Sequence, residues 1–249
     1  MAPPIEYTPS LVAFLDVLGW KDAINQSIDD DGLRAMMADA IAEAYMPDRF
    51  PGAPTPGYPQ VSQFSDSIVI SLAQLGETGP EADDAFWGKL SHFCIRMLRN
   101  GFFVRGGVSD GAMFHFKHIA FGPALLDAID IEKMAKYPRV ILPQGTQALG
   151  VQIRASDDGL PHLDILRQAM VRPEDRPAFF GQIRQVIENK LQIHPPGSNP
   201  SIRNKYVWFA RYFNEVAVER DVALIAGELK FEREKTVWGW FRSLIFRGA

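Results

Sequence analysis

The run Leu11-Val-Ala-Phe-Leu-Asp-Val-Leu-Gly19 places one carboxylate, Asp16, inside an otherwise apolar stretch that reads as a strand. A carboxylate carried into such surroundings is costly unless it is paired, protonated or bound to a cation. Asp66 repeats the problem in Phe64-Ser-Asp-Ser-Ile-Val-Ile-Ser71. Two acids so placed in one chain point to a metal site.

With 249 residues, 47% of them hydrophobic, the chain can bury one large core or at most two small ones without disulfide staples. The simplest division is a core over residues 9–150 with a C-terminal extension over 151–249 packed on it. The lone Cys94 falls in step with Phe86, Leu90, Phe93 and Met97, so it reads as a small core residue in a chain from a reducing compartment. The opening Met-Ala-Pro-Pro-Ile-Glu lacks the pattern of a signal peptide, and no later run reaches the length of a membrane span. These features predict a soluble, cytoplasmic protein with no membrane span. A net charge of -4, with both signs mixed along the chain, excludes a general basic footprint for duplex nucleic acid.

Periodicity gives the order of elements. Leu33, Met36, Met37, Ala40, Ile41, Ala44 and Tyr45 follow helical steps after the first strand, and the proline-rich stretch Pro47 to Pro59 is a loop. Val61–Gln63 and Ile68–Leu72 predict a hairpin with Asp66 near its turn. A polar loop from Gly76 to Asp84 leads to a helix over Phe86–Leu98. Phe102–Gly111 reads as a strand whose paired glycines allow close backbone approach, and Ala112–Phe116 as a returning strand.

Gly122-Pro123 opens a third helix, and Arg139-Val-Ile-Leu-Pro143 is the next strand. The order β-α-β-β-α-β-(β)-α-β predicts an α+β fold of ferredoxin-like alternation, a mostly antiparallel or mixed sheet with helices on one face. Beyond residue 150, Asp157-Asp-Gly predicts a turn, Leu163–Leu166 a short strand and Pro177–Leu191 a helix. His194–Pro200 reads as a linker to a last helix through Tyr206 and Val216, ahead of the aromatic and basic tail 238–249.

On its strand, Asp16 shares a face with Phe14 and Leu18, and Gly19 then lets the chain turn into a helix. Amides of Val17, Leu18, Gly19 and Trp20 at that turn are placed to cradle phosphate, with Lys21 within reach of the remaining charge. A strand aspartate and a hairpin aspartate on neighbouring strands can together hold two metal ions for in-line displacement at phosphorus. The plainer readings are a helix-capping aspartate for Asp16 and an ordinary turn residue for Asp66.

Four motifs in this order, Ala13-Phe-Leu-Asp-Val-Leu-Gly-Trp, Phe64-Ser-Asp-Ser, Arg105-Gly-Gly-Val-Ser-Asp-Gly and Phe121-Gly-Pro-Ala-Leu-Leu-Asp-Ala-Ile-Asp-Ile-Glu, resemble a class III nucleotidyl cyclase catalytic domain. They are similar in particular to the Pycsar pyrimidine cyclases of bacterial antiphage defence. The resemblance covers about residues 9 to 145, and the segment Lys205–Asn214 resembles that group's C-terminal helix.

The resemblance implies a class III cyclase fold and a homodimer that converts UTP, or CTP, to the 3′,5′-cyclic monophosphate for a separate cyclic-nucleotide-responsive effector. It implies two Mg²⁺ or Mn²⁺ ions held by Asp16, Val17 and Asp66, with Gly107 in the turn beside the site and Gly122 opening the following helix. Where purine cyclases carry an asparagine and a transition-state arginine on that helix, this chain has Leu126 and Asp130. At the usual purine-reading position it has Ser62.

These departures argue against a purine substrate. Arg105 is then the first candidate to replace the missing cation, by stabilising phosphate charge or reading a base carbonyl. Tyr58 is a candidate to contact the pyrimidine ring, with packing as the plainer reading. A degenerate cyclase that binds without catalysis, or a cyclase for another nucleoside triphosphate, are the alternatives. The five histidines, His92, His115, His118, His162 and His194, show no zinc spacing, and Arg139 reads as a strand-start ion pair.

Overall fold

The computed structural model describes residues 5–45, 58–74, 80–146, 151–227 and 229–232. The loop expected at Pro47–Pro59 lies mostly outside these residues, and the aromatic and basic tail lies wholly outside them.

The first strand, β1 (Thr8–Leu18), is long because its β-branched and apolar residues can be buried on both sides. It is followed by a short helix, α1 (Trp20–Gln26), and then α2 (Asp31–Tyr45). A hairpin of β2 (Gln60–Phe64) and β3 (Ser67–Ala73) comes next, then α3 (Pro80–Arg99). This helix starts inside the stretch predicted to be a loop.

Strand β4 (Phe103–Phe116) runs unbroken through the point where two strands were expected, and the returning strand is β5 (Ile119–Phe121). Helix α4 (Pro123–Met134) and the short β6 (Val140–Ile141) follow. Strands β7 (Ile153–Ala155) and β8 (Pro161–Leu163) come after them, and where Leu163–Leu166 was expected as strand, helix α5 (Ile165–Gln168) begins. Its N-terminus is capped by Asp164, which accepts from the Arg167 amide. Two long helices, α6 (Arg176–Ile193) and α7 (Pro200–Arg220), close the order.

The fold is α+β, built on an eight-stranded, mostly antiparallel sheet of order β2-β3-β1-β4-β6-β8-β7, with β5 paired to β4. Among the described residues only the β4–β6 contact is parallel. The stretch β2-β3-β1-β4 has ferredoxin-like order, with the site-bearing β1 in its middle.

Side chains alternate across β1. Ala13, Leu15 and Val17 enter the main core with α2 and α3, whereas Val12 packs beneath Ala124 and Ala128 of α4. Helices therefore cover both faces rather than one. The sequence order could not decide this, since a helix after the fourth strand can return over either side. A second core joins Ile95 and Leu98 of α3 to α6 and α7, with Phe103 and Leu18 at its edge. Through it, α7 reaches the end of β1 that carries Asp16.

Candidate active site

Register brings the first two groups together. Asp16 lies opposite Ser67 of β3 on one side and Arg105 of β4 on the other. Directly paired residues point to the same face. The Arg105 Nη2 is accordingly 3.2 Å from Asp16 Oδ2.

The third group comes from α4. Ala124, Ala128 and Glu132 recur every four residues and form its inward stripe. The helix can sit hard against the sheet because Gly107 has no side chain: a Cβ there would lie 2.4 Å from the Ala128 carbonyl oxygen and 2.5 Å from the Glu132 nitrogen. Glu132 is thereby pressed down beside Arg105, and its Oε1 forms an ion pair with the Arg105 Nε. Its side chain is only 7% exposed, against 23% for Asp16 and 29% for Arg105.

Asp66 sits in the two-residue turn between β2 and β3, after Ser65, whose φ is 57°. The Val17 amide donates to the Asp66 carbonyl at 3.0 Å, tying this turn to the end of β1. The Asp66 carboxylate is near enough to disfavour ionisation of Asp16.

Burial is the main force on both inner acids. It raises the Asp16 carboxyl above the ordinary carboxylate range, Arg105 opposes the rise, and Asp66 adds to it. Glu132 is raised by burial in the same way, with Arg105 opposing and Asp16 adding. One guanidinium thus serves two inner carboxylates while a third stands close by. The Lys205 ammonium on α7 adds a weaker pull toward the charged form of Asp16.

Such an imbalance favours uptake of a cation. Among the described residues no three His, Cys, Asp or Glu side chains form a ready-made metal cage. Magnesium seldom needs one: it is held by one or two carboxylates and completes its shell with water and substrate phosphates. Asp16, beside Arg105, and Asp66, in the turn tied to the end of β1, are hard oxygen donors of that kind.

The remaining expected residues divide. Lys21 is exposed on α1, and Tyr58 is exposed just ahead of β2. Gly19 caps α1 in a left-handed conformation, φ 76°, which makes the sharp turn out of β1 possible. Leu18 is half-buried against the α7 core.

The Trp20 ring belongs to the main core, edge-on to Phe102 with centroids 5.1 Å apart, which leaves the expectation for its backbone amide untouched. Three expectations need correction. Val17 cannot offer its amide to phosphate because that N–H is bonded to the Asp66 carbonyl. Gly107 makes room for α4 rather than for a ligand. Ser62 is buried, and its hydroxyl donates to the Lys117 carbonyl at 2.9 Å, so it is not available to a base.

Ser62 belongs to a separate buried cluster. Its Oγ is 2.8 Å from His115 Nε2, and the Ser71 Oγ is 2.6 Å from His115 Nδ1. Because Ser62 donates to Lys117, it accepts from Nε2–H, and Ser71 donates to Nδ1. The ring is neutral, its pKa pushed down to about 4 by burial. Cys94 is equally remote from chemistry, its thiol pushed up to about 12 by burial.

Two side chains of the site were missed in the sequence, Glu132 and Lys205. The small-residue stripe Ala124, Ala128 was the available sign that Glu132 points inward. Nothing in the periodicity of α7 singles out Lys205. By contrast, Leu126 is exposed and Asp130 pairs outward with Lys133 at 2.7 Å, so neither faces Asp16 within the chain.

No protein-family model matches the chain, and no curated protein does. Among solved structures, the crystal structure of an adenylate/guanylate cyclase/hydrolase from Silicibacter pomeroyi is similar at a TM-score of 0.30 with 15% identity, over 61% of this chain and 94% of that one. No helix among the described residues is long and apolar enough to cross a membrane.

Proposed function

We propose that this chain is a pyrimidine nucleotide cyclase, converting UTP in preference to CTP into the 3′,5′-cyclic monophosphate and pyrophosphate. What supports the reading is the tie of the Asp66 turn to the end of β1, through the Val17 amide and the Asp66 carbonyl, next to an Asp16 that shares one guanidinium with Glu132. Asp16 and Asp66, with the Val17 carbonyl as a third oxygen, are the groups that would hold two Mg²⁺ or Mn²⁺ ions. Such ions would lower the pKa of the ribose 3′-hydroxyl and neutralise the leaving pyrophosphate.

The chain's own contribution is placement of charge. Asp16 and Asp66 fix where the α-phosphate can sit, and Arg105, already at their edge, is within the same site to meet charge that spreads over phosphate oxygens. The first turn of α1 and Lys21 stand next in the chain to hold the rest of the triphosphate. Pyrimidine preference is supported by Ser62, which has no charge and no spare hydroxyl for a purine edge. Two chains pairing as a homodimer would complete each site, and the product would act on a separate effector in antiphage defence in the cytoplasm.

The test is incubation of the protein with each of the four nucleoside triphosphates and Mn²⁺, followed by chromatography of the products. Cyclic UMP with stoichiometric pyrophosphate is expected. Product from ATP or GTP alone would overturn the base assignment. A second reading, a degenerate cyclase that binds nucleotide without turnover, is favoured by exposed Leu126 and outward-paired Asp130. Retained UTP binding with no pyrophosphate release would establish it.

A further inference from the structure

Arg105 occupies an awkward place for a group beside a metal site: its Nη2 lies 3.2 Å from Asp16 Oδ2, on a carboxylate that a divalent cation would also require. Guanidinium and metal compete for that oxygen. A lone arginine on Asp16 would simply weaken metal binding, so what holds the other side of Arg105 decides the outcome.

Glu132 holds it. The carboxylate forms an ion pair at Nε, the inner nitrogen of the guanidinium, while Asp16 pairs with Nη2 at the far end, so the two acids sit at different edges of one planar cation. Glu132 is the less mobile partner. It is buried, and its backbone nitrogen is packed against the strand at Gly107, two residues along from Arg105. The other acids on this helix, Asp127 and Asp130, are exposed on its outer side, so Glu132 alone among them points at the sheet.

We propose that Glu132 is a positioning residue that retains Arg105 by its Nε and thereby lets Asp16 exchange the guanidinium for a divalent cation. The inference rests on the reading of Asp16 as a metal-holding group. Arg105 is then the resident counter-cation of Asp16. When a cation arrives, Nη2 leaves Asp16 while Nε stays on Glu132, and the guanidinium swings about that tether without leaving the site. Nothing is oxidised or transferred; only ion pairs are exchanged.

The experiment is a titration of Mn²⁺ into nucleotide-free protein, read by the electron paramagnetic resonance signal of the free ion. Four proteins are compared, with the fold of each checked by circular dichroism: the wild type, Glu132→Gln, Arg105→Gln and the double variant. Arg105→Gln should tighten Mn²⁺ binding roughly fivefold or more, since a competing cation at contact distance is removed. Glu132→Gln should weaken it by a similar factor, because Arg105 then settles on Asp16. In the Arg105→Gln background the same Glu132→Gln change should alter affinity by less than about twofold, as there is no arginine left to position.

Equal weakening by Glu132→Gln in both backgrounds would overturn the proposal, making Glu132 a direct ligand or a distant field. Unchanged or weaker binding in Arg105→Gln alone would also overturn it, and that arm stands even if Glu132→Gln fails to fold. Binding that survives Asp16→Asn unchanged would sink the metal reading itself, and this proposal with it.

Discussion

Arg105 and Arg139 are both held by acids beside neighbouring strands, yet they are answered in opposite ways. Arg139 is 3% exposed and meets one carboxylate, Asp158, through both ends of its guanidinium, with Nη1 to Oδ1 at 3.0 Å. Its plane lies against Tyr137 and Trp208, whose stacked rings are 5.5 Å apart. The charges cancel, and Asp158 is held below the ordinary carboxylate range by that pairing. Arg105 instead faces Asp16 and Glu132 together, with Asp66 near, and both inner acids are raised. A balanced pair fastens a structure, whereas at Arg105 one guanidinium answers two carboxylates that burial pushes toward the neutral form.

The largest effect that separates the two regions is on turnover. Asp16→Asn and Asp66→Asn should each lower cyclic nucleotide formation by about 10³-fold or more, since each removes ligand charge at nearly constant volume. Asp158→Asn should leave turnover within about twofold when assayed at a temperature where the variant is folded. Loss of product on changing Asp158, or its retention on changing Asp16, breaks the distinction between the regions.

Stability should respond in the reverse sense. Asp158→Ala strands a buried guanidinium and should cost about 3–5 kcal/mol in urea unfolding. Asp16→Asn, in contrast, relieves a buried and repelled carboxylate while leaving Arg105 on Glu132, and should stabilise the protein by about 1 kcal/mol. The sign follows from the raised pKa of Asp16. A carboxyl whose folded pKa lies above its unfolded value favours folding at low pH, and that contribution is lost as pH rises through the folded value. At neutral pH the ionised group therefore opposes folding.

Histidine burial sets the acid limit. His115 and His162 are both pushed down from 6.5 to about 4, chiefly by burial. Their contribution is present above pH 6.5 and falls away as pH drops toward 4, on the order of 3 kcal/mol apiece. Unfolding monitored between pH 7 and 4 should show this decline, and His115→Gln should flatten part of it. That variant tests whether the Ser62–His115–Ser71 cluster is structural: unchanged base selection is expected in the same assay, the smallest effect of the series.

Much of this organisation was legible in the sequence. An aspartate in a run that must be buried needs a cationic neighbour, and Asp16 has one in Arg105; alternation and helical steps marked out β1, α2, α3 and α7. Arg139 was read as an ion pair and is one. Other features depend on which distant segments meet. Gly107 seemed to clear space for a ligand, but only the docking of α4 shows that it clears space for a helix. Ser62 seemed open to a base until β4 ran on past its expected end and brought His115 over it. Glu132 resembled its exposed neighbours Asp127 and Asp130 in composition, and its role appears only when the helix is seated on the second face of the sheet. Local chemistry fixes which groups cannot be left alone in a core; only the tertiary arrangement chooses their partners, because partnership is a property of distance and not of order along the chain.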